Sequence, residues 1–187
     1  MKYKLSVVSY LNTIPFIYGL KQYGLDKKLD ISLDIPSACA EKLLSKKVDI
    51  GLVPIVVLKQ LEDAQIISDY CIGANGAVDT VCLFSDVSFD AVEGILLDYQ
   101  SRTSVELLKI LLKEHWRISP KLIEANENYE TQISGKTAGL IIGDRTFHFH
   151  DKFKYAYDLS DIWKQMTGLS FVFACWIANK ELDEGFK

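Results

Sequence analysis

The chain has 187 residues, 49% of them apolar and 25% charged, with 11 Gly and 4 Pro. That composition excludes disordered and collagen-like classes. Twenty-one Lys and Arg against 25 Asp and Glu give a net charge of −4 with no basic run, so the electrostatic footprint of a nucleic-acid binder is missing. Length alone leaves one large domain or two small ones open.

In chain order, Tyr3–Ser9 reads as a strand. Asn12 or Thr13 then offers an N-cap oxygen, Pro15 falls in the first helical turn where its missing N–H costs nothing, and Gly24 can close the helix. The lysines ahead of the first strand do not make a leader peptide, because Asn12, Thr13 and Pro15 interrupt the apolar stretch and no small-x-small cleavage site follows. Leu29, Ile31, Leu33 and Ile35 alternate with polar residues as in a half-buried strand, and Pro36-Ser37 opens a helix carrying Leu43 and Leu44. Val48–Val53 predicts a third strand, leading through Pro54 into a short helix from Ile55 to about Glu62. The apolar run Gly51–Leu58 is far too short to cross a bilayer.

Ile66–Ile72 and Val78–Phe84 are expected as strands split by a turn at Gly73-Ala74-Asn75-Gly76. Gly94–Asp98 predicts a strand, Tyr99–Arg102 a loop, and Thr103-Ser104-Val105-Glu106 a capping box opening a helix whose apolar residues Val105, Leu107, Leu108, Ile110, Leu111 and Leu112 follow helical spacing. Leu122–Ala125, Ala138–Ile142 and Phe171–Ala178 complete the predicted strands, and Leu159–Met166 predicts a helix ended by Gly168. The alternation of strands and helices points to an α/β fold with a largely parallel sheet.

Candidate chemistry gathers where strands hand over to helices, the edge at which open α/β sheets collect ligands. Ser101-Arg102-Thr103-Ser104 combines a helix start, three hydroxyls and a guanidinium, which together suit a bound carboxylate. The plainer alternative is that the hydroxyls cap the helix and Arg102 is a solvated charge. Ser9 to Pro15 follows the first strand, and Asn12 within it carries a donor and an acceptor without charge; its plain role is a cap. Asp79-Thr80 and Gly143-Asp144 sit at similar strand ends. His148 and His150, two apart, would share one face of a strand and could meet on a metal, but no third ligand lies near them and they read more simply as surface residues. Cys39, Cys71, Cys82 and Cys175 form no C-x-x-C pair and are expected as reduced thiols. Hydrolase-elbow, P-loop and dinucleotide signatures are missing.

Taken together and in order, Ser9-Tyr10-Leu11-Asn12-Thr13-Ile14-Pro15, Val48-Asp49-Ile50-Gly51-Leu52-Val53-Pro54, Cys71-Ile72-Gly73, Val78 to Phe84, Asp98-Tyr99-Gln100-Ser101-Arg102-Thr103-Ser104, Ile141-Ile142-Gly143-Asp144 and Trp163 to Trp176 resemble the menaquinone-biosynthesis family of the futalosine pathway, in its chorismate dehydratase branch. The resemblance implies an α/β, two-lobed, periplasmic-binding-protein-like fold of type II with two crossing hinge strands, Val78–Phe84 and Phe171–Ala178. Lobe one would be residues 1–80 with 174–187, lobe two residues 81–173, and the ligand would lie between lobes. It also implies a cytoplasmic hydro-lyase that converts chorismate to 3-[(1-carboxyvinyl)oxy]benzoate without metal or organic cofactor, with no nucleic-acid or membrane partner. Oligomeric state stays open. Ser9, Asn12, Thr80, Ser101, Arg102, Thr103 and Ser104 are expected to bind substrate, with Asn12 and Asp144 catalytic and the base either Asp144 or a carboxylate of the substrate. A Cys-Pro-Asn-Asp-type motif typical of a sister branch is replaced here by Tyr10-Leu11-Asn12-Thr13. The resemblance implies that family members usually continue beyond position 187 with helices that complete lobe one, which this chain is expected to lack. The rival expectation is a non-catalytic binding protein for a small carboxylate.

Overall fold

A computed structural model describes residues 2–183. The chain divides into two compact units, Met1–Ile72 with Val172–Lys187, and Gly73–Phe171. The divisions fall after residues 72 and 171, whereas the sequence reading set them after residues 80 and 173.

In the first unit, β1 (Tyr3–Val8), β2 (Leu29–Asp34), β3 (Ile50–Pro54), β4 (Gln65–Ala74) and β10 (Phe171–Ala178) form one sheet in the order β2-β1-β3-β10-β4. β1 runs parallel to β2 and β3, and β10 runs antiparallel to β3. Side-chain alternation sorts two cores onto the two faces. Leu5, Val7, Ile50, Leu52 and Trp176 pack with Phe16, Ile17 and Leu20 of α1 (Ile14–Gln22). Val8, Val53, Cys175 and Ile177 pack with Cys39, Ala40 and Leu43 of α2 (Pro36–Leu44). A sheet covered on both faces explains why β3 reads as an unbroken apolar run. Each fully buried Leu or Val contributes about 1.5–3 kcal/mol relative to exposure.

The second unit holds β5 (Val81–Ser85), β6 (Gly94–Leu97), β7 (Lys121–Glu124), β8 (Thr137–Ile142) and β9 (Tyr155–Asp158), ordered β7-β6-β8-β5-β9. β6 is parallel to β7 and β8, and β5 is antiparallel to β8 and β9. Helices α3 (Thr103–Leu111) and α4 (Leu159–Thr167) complete it, with Leu107, Leu108 and Leu111 of α3 buried. Phe84, Leu96, Tyr129, Ile133 and Ile141 form a core cluster of their own.

Several expectations need correction. Val78-Asp79-Thr80 is not strand: Asp79 takes a positive φ of 59°, and the N–H groups of Val78 and Asp79 donate to the Asp158 carboxylate instead of a ladder. The strands in which the chain passes between units are β4 and β10, so Val78–Phe84 is not a crossing strand. β9 went unrecognised because Tyr155–Asp158 is four residues long with two aromatics among polar neighbours. Ile55–Gln60 is a 3₁₀ stretch rather than an α-helix. His148 ends another such stretch, Gly143–His148, and His150 lies in the turn beyond it, so the two do not share a strand face.

Candidate functional site

Because β6 and β8 are parallel and β5 is antiparallel to β8, the start of β5 and the ends of β6 and β8 lie at one edge of the second sheet. Three segments meet there. Thr80 precedes β5, and its carbonyl accepts from the N–H of Gly143 at 2.8 Å. Asp98 to Ser104 follow β6, and Gly143-Asp144-Arg145 follow β8, where Gly143 takes φ +73°, a conformation open to glycine. The structure thus brings Thr80, Ser101 to Ser104 and Asp144 to a common edge. Ser9 and Asn12 occupy the corresponding edge of the first sheet, after β1.

The turn after β6 is built from its first residue. The Asp98 carbonyl accepts from Ser101 N–H at 3.1 Å, and its carboxylate accepts from Gln100 N–H at 2.8 Å, an Asx-type turn. Ser101 Oγ then accepts from Ser104 N–H at 3.1 Å. The capping oxygen therefore comes from Ser101, not Thr103, and Glu106 pairs with Lys109 at 2.7 Å instead of reaching back, so the expected capping box does not form. Thr103 and Ser104 are buried at the head of α3, while Arg102 is half-buried.

Asn12 also departs from its plain role. It lies exposed in a 3₁₀ turn, Leu11–Thr13, ahead of α1, and the Thr13 cap position makes no side-chain cap bond. Its Oδ1 accepts from Thr13 Oγ1 at 3.4 Å, and among the described residues its amide group donates to nothing. Ser9 is exposed, with its N–H donating to the Asp34 carbonyl at 2.9 Å.

Two carboxylates that sequence reasoning did not single out, the buried Asp98 and the half-buried Asp158, hold these segments. Asp98, its side chain 0% exposed, accepts at Oδ2 from Ile142 N–H at 3.0 Å and from the guanidinium of Arg145. The hydroxyl of Tyr129 lies between that oxygen, at 3.0 Å, and the Leu140 carbonyl, sharing its one proton. Burial pushes the Asp98 carboxyl above its usual range, against the pull of Arg145 and the two N–H donors. Arg145 also pairs with Glu130 at 2.7 Å and lies over the Tyr99 ring at 5.5 Å. Asp158, at the end of β9, accepts from four backbone N–H groups: Val78 and Asp79 at 2.7 Å each, and Ser160 and Asp161 of α4 at 2.9 and 3.0 Å. It fixes both the approach to Thr80 and the start of α4. A strand-final Asp facing a turn was the available signal for both.

Among the described residues, no group of three His, Cys, Asp or Glu is placed to hold a metal ion, and no helix is long and apolar enough to cross a membrane. His150 Nε2 lies 2.9 Å from the Asp79 carbonyl, with its ring edge-on to Phe84. Burial pushes the thiols of Cys39 and Cys175 up to about 11 and that of Cys82 to about 12, so none of these three is poised as a nucleophile.

Two α/β units joined through two strands define a two-lobed, periplasmic-binding-protein-like fold of type II. A crystal structure of an Archaeoglobus fulgidus protein superposes with a TM-score of 0.74 at 12% identity, covering 99% of this chain and 70% of that one. An ABC transporter protein from Parabacteroides distasonis gives 0.56 at 15% identity, over 95% and 65%. The sequence narrows the class: the chain belongs to the menaquinone-biosynthesis family, whose profile matches residues 3–186. It is similar to the chorismate dehydratase of Thermus thermophilus, 29% identical over 198 residues, covering 96% of this chain and 70% of that protein.

Proposed function

We propose that this protein is a chorismate dehydratase, a cytoplasmic hydro-lyase that turns chorismate into 3-[(1-carboxyvinyl)oxy]benzoate and water without metal or organic cofactor. The observation that carries the reading is the gathering of Thr80, Ser101 to Ser104 and Asp144 at the carboxyl edge of the second sheet, in a chain whose relative bears that name. In the elimination, the ring carbon bearing the enolpyruvyl ether loses its proton and the neighbouring carbon loses its hydroxyl, which leaves as water. The product ring is aromatic, so the driving force is intrinsic and the protein's task is orientation and proton movement.

In this reading the hydroxyls and N–H groups of Ser101, Thr103 and Ser104, with Arg102 and the positive end of α3, hold one substrate carboxylate. Thr80 adds a hydrogen bond, and Ser9 and Asn12 address the enolpyruvyl carboxylate or the departing hydroxyl. Asp144, or a carboxylate of the substrate itself, takes the ring proton.

The test is incubation of purified protein with chorismate while following ultraviolet absorbance. Loss of the diene with appearance of a benzoate supports the assignment. Saturable chorismate binding with an unchanged spectrum replaces it with the carboxylate-binding reading.

A further inference from the structure

We propose that Asp98, although sealed from any ligand, is the positioning residue of the anion-binding turn, locking the Ser101–Ser104 helix start and the Gly143–Arg145 turn into one arrangement. This deepens the preceding reading of that edge and rests on it. A carboxylate has about four acceptor sites on two oxygens. Here donors reach it from four places in the chain, Gln100 N–H of its own turn at Oδ1, and at Oδ2 Ile142 N–H at the end of β8, Arg145 in the turn after β8, and Tyr129 from the segment between β7 and β8. With the side chain at 0% exposure, Asp98 contributes nothing directly to a bound substrate. It acts through others: its carbonyl sets Ser101, and Ser101 Oγ sets Ser104. Through Arg145, which stacks over Tyr99 and pairs with Glu130, the same carboxylate clamps the residue next to Asp144.

Asp98→Asn separates positioning from mere support of the fold. The amide oxygen can still accept from Gln100 N–H, but its NH₂ then faces the Ile142 N–H and the Arg145 guanidinium, donor against donor. The tie between the two turns is then broken, and the Ser101–Ser104 helix start loses its fixed place against Gly143–Arg145 although the bond to Gln100 N–H survives. Turnover of chorismate is expected to fall at least tenfold with KM raised severalfold. A purely structural role lowers the folded fraction and so reduces apparent kcat at unchanged KM. Independently of activity, amide NMR resonances of Ser101, Thr103, Ser104 and Gly143 in the substrate-free protein should shift or broaden, while those of Ser9 and Asn12 stay. Glu93→Gln, which breaks an exposed ion pair with Lys136 in the same unit, should change neither readout.

Wild-type resonances in the Ser101–Ser104 turn of a folded Asp98→Asn variant, or wild-type KM, overturn the proposal. If Asp98→Asn does not fold, Arg145→Gln decides. It removes the charged half of the clamp and leaves the backbone bonds to Asp98, and displaced turn resonances then support the proposal while unchanged ones overturn it. If the wild-type protein leaves chorismate untouched, the functional reading fails, and the resonances still decide whether Asp98 positions this turn.

Discussion

At residue 12 the cap and ligand roles of one asparagine have different consequences, and the structure leaves its amide group unused by α1. Asn12→Asp keeps the size, exchanges an amide donor for a negative charge, and sits near the positive end of a helix, so melting temperature should be unchanged or slightly raised. Against a dianionic substrate, turnover should fall at least about a hundredfold, equivalent to roughly 2.7 kcal/mol of transition-state stabilisation. Wild-type turnover in that variant would remove Asn12 from the mechanism. Ser101 carries two duties, because its Oγ caps Ser104 N–H. Ser101→Ala should therefore cost about 1 kcal/mol, seen as a melting shift of roughly 2–4 °C, as well as weakening chorismate binding in calorimetry. Ser104→Ala, which removes no cap oxygen, should weaken binding with the smaller loss of stability. Sequence reasoning found the candidate residues here because hydroxyls and amides at strand ends are visible as residue types. It did not find Asp98, Arg145 or Asp158 as supports: a strand-final Asp was the local sign, but the bonds Tyr129–Asp98, Arg145–Asp98 and Val78–Asp158 span 31 to 80 positions.

Among the elements, α4 was legible because its stop signal Gly168 is local, and the structure shows Gly168 closing it at φ +74°, while Asp158, which the sequence reading left unused, caps its start. β5 was misjudged at its start for the opposite reason: Val78-Asp79-Thr80 has strand-like composition, but the distant Asp158 claims its N–H groups. The same carboxylate therefore bears on two elements at once. Asp158→Ala strands four donors and should destabilise the second unit by about 2–4 kcal/mol, read in urea unfolding, well beyond an ordinary cap deletion. Close packing makes a second element-level demand at β8. A Cβ added to Gly139 would stand 2.3 Å from Ile133 Cδ1 and 2.6 Å from Ile133 Cγ1. Gly139→Ala should cost about 1–3 kcal/mol, and pairing it with Ile133→Val should recover part of that loss. An unchanged urea midpoint in the single variant would show that Ile133 has room to move.

For the molecule as a whole, the half-buried carboxylates of the first unit and the buried Asp98 of the second respond differently to acid. In the first unit, burial alone would raise the Asp34 carboxyl, but the Lys42 ammonium at 2.6 Å and the hydroxyls of Ser32 and Ser6 outweigh it and hold the group below its ordinary value. Asp49 is likewise held down against burial, by Lys180 at 2.6 Å and by the N–H of Lys4. A carboxyl depressed in the folded state contributes stability that is complete above the unfolded value, near 3.9, and is lost as pH falls through the folded one. In the second unit Asp98 is raised, so its contribution has the reverse sign: complete below about 3.9 and lost as pH rises through the folded value. Lowering the pH from about 6 to 3 should therefore weaken the first unit while Asp98 works against weakening of the second. Amide hydrogen exchange, corrected for intrinsic rates, should show protection in β1, β2 and β3 declining before that in β6 and β8. Asp34→Asn, whose neutral amide cannot titrate, should be less stable at pH 6 and lose less on acidification. Equal loss of protection in both sheets, or a wild-type acid response in Asp34→Asn, would mean that the charge network around Lys42 does not govern the acid limit of this fold.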